Sequence, residues 1–213
     1  MNVVVIDLGI GNLMSIIRAL EYFGAQVVVT SDSQTILNSS HVVLPGDGAF
    51  NFAMEQIKKR NLLKTLKNFS DSKSNLLGIC IGMQILFDKS SEFKNTDGLG
   101  LISGKVVPIP SKSKEGSKLT IPHMGWNNLH KAEHLKNWSN TLLEDNKVMD
   151  EMYFIHSYMA VPSNLSNRIA DCIYGGYKLA AVVMKNNIVG CQFHPEKSGK
   201  LGLKILKKFI EKH

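Results

Sequence analysis

Cysteine is scarce in this chain, with Cys80, Cys172 and Cys191 the only three in 213 residues. An odd number without close spacing suits reduced thiols better than disulfides or a zinc site, Cys172 and Cys191 reading as core packing. Long apolar runs are missing as well. No segment approaches the ~20 residues of a membrane span, and Met1 opens straight into Asn2-Val3-Val4-Val5-Ile6-Asp7, leaving no room for a signal peptide. These absences predict a cytoplasmic chain without membrane contact.

Cofactor signatures fail on spacing. Gly9-Ile10-Gly11 follows the first apolar run, but the third glycine of a dinucleotide fingerprint would stand where Met14 does. No G-x-x-x-x-G-K-[ST] run is present for nucleotide phosphates, and the seven histidines offer no H-x-x-x-H pair on a helix for a metal. No cofactor and no metal are expected. The formal charge of +7 invites a nucleic-acid partner, yet the lysines are dispersed over Lys58, Lys59, Lys64, Lys67, Lys73, the 112–118 loop and the last helix, without interleaved aromatics for base stacking. In that helix Leu203, Leu206 and Ile210 form one stripe while Lys200, Lys204, Lys207 and Lys208 face away, the pattern of a solvated amphipathic helix.

What is present is an alternation of short apolar runs and helical periods. Strands at 2–7, 25–30, 41–45 and 75–79, separated by helices near 11–23, 47–59 and 61–69, predict an α/β fold with a doubly wound, mostly parallel sheet flanked by helices. Apolar strands at 100–109, 152–161, 168–174 and 179–185 add antiparallel hairpins in the second half before 188–193 returns to the core. Residues 110–118 hold no apolar side chain after Pro110 and read as a mobile surface loop. At 44% hydrophobic, with no internal repeat and no long linker, the 213 residues are expected to form one domain, 1–213.

The most informative segment is Leu76-Leu77-Gly78-Ile79-Cys80-Ile81-Gly82-Met83-Gln84, where an apolar run ends in Gly-x-Cys-x-Gly and turns into a helix. A nucleophile on a tight strand-to-helix turn needs neighbours without bulk two residues to either side, which Gly78 and Gly82 supply. The positive end of the following helix favours thiolate, the form of cysteine that attacks carbonyls. Near the other end, Gly190-Cys191-Gln192-Phe193-His194-Pro195-Glu196 reads as a strand ending in His-x-Glu, and residues two apart on an extended chain project to one side. A cysteine nucleophile needs a base, and the base needs an acceptor that holds its tautomer. Cys80, His194 and Glu196 supply these roles in that order.

These motifs resemble the triad-type (class I) glutamine amidotransferases, which release ammonia from the glutamine side chain and pass it to a synthase. Pro122 to Asn127, Tyr153 to Tyr158 and Lys197-Ser198, with Asp7 to Asn12 and Pro45 to Phe50, narrow the resemblance to the glutaminase subunits that serve imidazole glycerol phosphate synthases. The resemblance implies the class I amidotransferase fold, glutamine as substrate, and a heterodimer with a (β/α)8-barrel cyclase that carries the acceptor site. It also implies that Asn12, Trp126, Tyr153 and Lys197 face that barrel. Paralogues of these subunits deliver ammonia for amidino modification of nucleotide sugars, and a partner-binding chain without catalysis is a reading from another class.

The expected reaction is acyl transfer: Cys80 attacks the amide carbon, His194 protonates departing ammonia, and water then hydrolyses the thioester with His194 as base. The Ile81 N–H, next to the nucleophile, is one oxyanion donor by elbow geometry. The resemblance suggests a second at Gly46-Asp47, whose peptide would keep the site idle while misaligned, with Gly48 beside the substrate. Gln84, Ser157 and Tyr158 are expected at the amino-acid end of glutamine. Asp47 and Leu8 depart from the family pattern, apolar at the first position and aromatic at the second.

Overall fold

A computed structural model describes residues 1–9, 11 and 13–212. The first half runs β1 (Asn2–Ile6), α1 (Met14–Glu21), β2 (Gln26–Thr30), α2 (Ser33–Leu37), β3 (His41–Leu44), α3 (Phe50–Lys59), α4 (Leu62–Ser70) and β4 (Asn75–Ile79). A single helical turn, α5 (Ile81–Gln84), leads to β5 (Phe87–Ser90), β6 (Thr96–Asp97) and β7 (Ile102–Pro108). There follow β8 (His123–Asn128), β9 (His130–Lys131), β10 (Glu151–His156), β11 (Tyr158–Pro162), β12 (Arg168–Tyr174), β13 (Tyr177–Lys185), β14 (Ile188–Cys191) and α6 (Gly199–Glu211).

The main sheet has the order β2-β1-β3-β4-β14-β13-β12-β9, parallel from β2 to β14 and antiparallel beyond. Side chains alternate across it as the pleat requires. Val3 and Val5 of β1 point into the layer shared with α1 and α6, whereas Val4 and Ile6 point into the layer shared with α2, α3 and α4. Both faces of the inner strands β1, β3, β4 and β14 are therefore apolar and covered, which is why they read as nearly unbroken hydrophobic runs, whereas the edge strand β2 leaves Val28 and Val29 exposed. Late strand β14 inserts beside early strand β4 with Gly190 opposite Gly78 and Cys191 opposite Ile79. That one pairing brings the carboxyl ends of both strands together and so positions the site.

Several sequence expectations are corrected. Helix 47–59 begins only at Phe50, leaving 45–49 as extended loop, and helix 11–23 is confined to Met14–Glu21. The run 152–161 is two strands in different sheets: β10 pairs β8, β11 pairs β7, and the chain changes sheet at Ser157. Only His156-Ser157 interrupts the apolar residues there, too short a polar break to announce a change of sheet. The 110–118 loop is organised, with Lys112 bridged to Lys118, the Lys114 N–H donating to the Gly175 carbonyl, and Lys114 Nζ lying 5.7 Å from the Tyr177 ring centre. In α6 the buried stripe is Ile205, Leu206, Phe209 and Ile210, with Leu203 at its margin. His130 and His134 have the i, i+4 spacing of a metal pair but fall on β9 and a turn.

Candidate active site

Cys80 stands between β4 and α5 at φ 54° and ψ −110°, a conformation that side-chain-bearing residues rarely adopt. Its N–H donates to the Cys191 carbonyl at 2.8 Å, so the β4–β14 pairing holds the strained turn. The flanking glycines are required by close approach. A Cβ at Gly82 would fall 1.8 Å from the Leu44 carbonyl oxygen, and one at Gly78 would fall 2.5 Å from the Gly82 oxygen. The elbow thus closes against the end of β3 as well as on itself. Because α5 is only four residues long, its dipole is small, and thiolate stabilisation has to come from side chains instead.

His194 and Glu196 meet, though not along a strand. β14 ends at Cys191, and Glu196 lies in a 3-10 turn, Pro195–Lys197, with His194 as its first flanking residue. His194 Nδ1 donates to Glu196 Oε1 at 2.8 Å, and both side chains are 3% exposed. That bond fixes the tautomer and leaves Nε2 without a hydrogen bond of its own. Burial opposes a charge on His194, but the interactions with Cys80 and with Glu196 outweigh it and raise the imidazole pKa to about 10. Ser198, buried, braces the base: its hydroxyl donates to the His194 carbonyl at 2.6 Å and accepts from the Tyr153 N–H at 3.0 Å, while the His194 N–H donates to the Tyr153 carbonyl.

The side on which the oxyanion is expected is closed. The Ile81 N–H donates to the Gly46 carbonyl at 3.3 Å, so the expected donor is occupied by the segment expected to supply its companion. A trans peptide directs its C=O and N–H to opposite sides, so with the Gly46 carbonyl turned to Ile81, the Asp47 N–H is directed away. The Asp47 carboxylate lies over Gly11, where a Cβ would come within 2.9 Å of Oδ2.

Asp47, Gly48, Cys80, Ile81, Gln84, Ser157, Tyr158, His194 and Lys197 line one cavity of about 400 Å³. Gly46 and Glu196 instead line a smaller space next to it with Asp47 and His194. Trp126 and Tyr153 lie outside both cavities, paired across β8 and β10 with ring centres 6.0 Å apart and Trp126 55% exposed. Asn12 lies outside the described residues. Glu92, Pro122, Ile155 and His156 also line the main cavity. Sequence reasoning did not single them out: Pro122, Ile155 and His156 sit within segments that carry the family resemblance, whereas Glu92 stands in no motif at all.

A model of the glutamine amidotransferase class-I family matches residues 4–212. The chain belongs to this family. It is 43% identical to imidazole glycerol phosphate synthase subunit HisH 1 of Legionella pneumophila strain Lens over 210 residues, 99% of each chain. It is also 43% identical to subunit HisH of Lactococcus lactis strain IL1403 over 99% of this chain and 98% of that one. Among solved structures, a glutamine amidotransferase superposes with a TM-score of 0.70 at 15% identity, covering 98% of this chain and 97% of that one. A chain of PurLQS from Thermotoga maritima superposes with a TM-score of 0.68 at 16% identity, covering 99% of this chain and 97% of that one. At such identities the structures bear on the fold, which they share.

Proposed function

We propose that residues 1–213 act as one glutamine amidotransferase domain, the glutaminase subunit of an imidazole glycerol phosphate synthase in histidine biosynthesis, working in the cytoplasm as a heterodimer with a (β/α)8-barrel cyclase. The observation that carries the chemistry is a cysteine on a strained elbow sharing one cavity with a histidine whose Nδ1 is held by a buried carboxylate. At about 400 Å³ the cavity has room for glutamine, and Glu92 on its wall, whose Oε2 accepts from the Phe50 N–H at 2.7 Å, offers a charge for an α-ammonium group. Near-full-length identity to HisH subunits supports the choice of pathway. No helix among the described residues is long and apolar enough to cross a membrane.

In this reading the thiol proton moves to His194 Nε2, and the Cys80 thiolate attacks the side-chain carbon of glutamine. The imidazolium, stabilised by Glu196, then gives its proton to departing ammonia. Water, deprotonated by His194, cleaves the glutamyl thioester to glutamate. The oxyanion needs donors that the resting site lacks, so the Gly46–Asp47 peptide has to rotate, freeing the Ile81 N–H and bringing in the Asp47 N–H. Ammonia is mostly protonated in neutral water and no longer nucleophilic, so a shielded path to the partner is needed. Trp126 and Tyr153 are the proposed docking face, with Lys197 at the cavity edge.

Cys80→Ala is the test. It is expected to abolish glutamine hydrolysis in the complex while synthesis from added ammonium salt continues, because the acceptor site is on the other chain. Loss of ammonium-driven synthesis in an intact complex contradicts this division of labour.

A further inference from the structure

Gln192 is completely buried between the sheet and the nucleophile, and it takes no part in the proton transfers between Cys80 and His194. Its side-chain Nε2 donates toward Cys80 Sγ at 3.9 Å, and its Oε1 accepts from Gln84 Nε2 at 3.0 Å. The same Gln84 nitrogen donates to the Tyr158 carbonyl at 3.1 Å. A backbone carbonyl can only accept, so the Gln84 amide must present its nitrogen there and to Gln192. Gln192 must therefore offer oxygen to Gln84, which leaves its nitrogen for the sulfur.

The far side of the Tyr158 carbonyl is fixed in the same way. His156 Nδ1 donates to it at 2.8 Å, so His156 Nε2 accepts from His123 Nδ1 at 3.0 Å. Both imidazoles are kept neutral, His156 shifted down to about 3 mainly by burial and His123 to about 4 by burial. Two donors thus saturate the Tyr158 carbonyl, and no hydroxyl that could reverse its roles enters the chain of bonds.

At the sulfur, two groups compete. The thiol donates to the Ile155 carbonyl at 3.9 Å, a contact that favours the protonated form because a carbonyl oxygen repels a thiolate. The Gln192 N–H favours the deprotonated form. A buried carboxamide is costly unless its hydrogen bonds are used, and an apolar side chain would fill the same space without that cost.

We propose that Gln192 is a positioning residue for the nucleophile: its carboxamide N–H holds the Cys80 thiolate away from the Ile155 carbonyl and in line for attack, and Gln84, anchored on the Tyr158 carbonyl, holds that carboxamide in orientation. The proposal rests on Cys80 being the nucleophile, which Cys80→Ala decides independently. In the activation step the thiol proton leaves for His194 Nε2, and the bond to Ile155 is exchanged for one from Gln192.

The test uses the full chain as wild type, Gln192→Met, Gln192→Glu and Gln84→Met. Alkylation of Cys80 by iodoacetamide is followed against pH by peptide mass spectrometry, alongside kcat and KM for glutamine in the complex and a thermal melt. Asp47, Glu92, His194 and Lys197 around the cavity are unchanged in all four chains. Loss of one hydrogen bond to a charged sulfur is expected to move the alkylation midpoint of Gln192→Met up by about one pH unit and to cut kcat about tenfold, with KM within about twofold. Gln192→Glu, which sets a carboxylate against the thiolate, should move the midpoint further, and Gln84→Met should move it in the same direction by less. A purely structural role would lower the melting temperature without moving the midpoint, so an unmoved midpoint in folded Gln192→Met overturns the proposal. Should Gln192→Met not fold, an unmoved midpoint in Gln84→Met overturns it equally, since that residue reaches the sulfur only through Gln192.

Discussion

The two sides of the cavity stand in different states. On the thiol side every part is assembled: Cys80 on its elbow, His194 on Glu196, and Ser198 tying the base to β10. On the oxyanion side the Ile81 donor is taken up by the Gly46 carbonyl. The assembled side rests on the β4–β14 pairing deep in the sheet, whereas the closed side is the loop between β3 and α3, free of regular structure from Pro45 to Ala49. A strained nucleophile needs a rigid frame, and a peptide proposed to turn needs to lie outside regular structure, and the two sides of the cavity meet these two needs.

The largest break in this contrast is Gly82→Ala. The new Cβ would lie 1.8 Å from the Leu44 carbonyl oxygen, backbone against backbone, so either the end of β3 or the elbow has to move. Stability is expected to fall by about 3 kcal/mol and glutamine hydrolysis to vanish, as read by denaturant unfolding and a glutamate assay. Glu196→Gln is gentler. It keeps a hydrogen-bonding oxygen but removes the charge that helps raise His194, so kcat should drop about a hundredfold. The alkaline limb of the rate profile should also move to lower pH, because the imidazolium is then lost earlier as pH rises toward its wild-type value of about 10.

How far this contrast was legible in the sequence follows from the same chemistry. The elbow could be read because a nucleophile turn demands glycine at two set positions, and Gly78 and Gly82 stand there. The inner parallel strands can be read because burial on both faces makes them continuous apolar runs. His194 and Glu196 do touch, but a 3-10 turn brings them together and not the extended strand that their spacing predicts. The closed oxyanion side could not be read, since a peptide's orientation at Gly46-Asp47 leaves no mark on side-chain pattern. Strand β8, His-Met-Gly-Trp-Asn-Asn, is too polar to announce itself, and the change of sheet is marked only by the polar pair His156-Ser157 between two apolar runs.

Smaller effects sharpen the picture at the edge of the site. His156 is held neutral, with a pKa near 3 set chiefly by burial, whereas the unfolded chain takes up a proton at about 6.5. Its contribution is therefore fully present above about pH 6.5 and is lost as pH falls, by about 2 kcal/mol at pH 5, with His123 acting in the same direction. Unfolding measured at pH 7 and pH 5 should show this loss, and His156→Gln should flatten it. The smallest effect on the isolated chain is expected for Trp126→Ala. That ring is 55% exposed, so melting temperature and Cys80 alkylation should stay near wild type while association with the cyclase weakens in a titration.

The claim that one side is ready and the other waits is tested most directly by the glutaminase rate of the isolated chain against the same chain with its cyclase and acceptor ligand bound. Alkylation of Cys80 in the isolated chain serves as the control for a competent thiol. Ready alkylation but slow hydrolysis is expected in isolation, with a rise of about a hundredfold or more in the liganded complex as the Gly46–Asp47 peptide supplies its donor. Full hydrolysis by the isolated chain would contradict it.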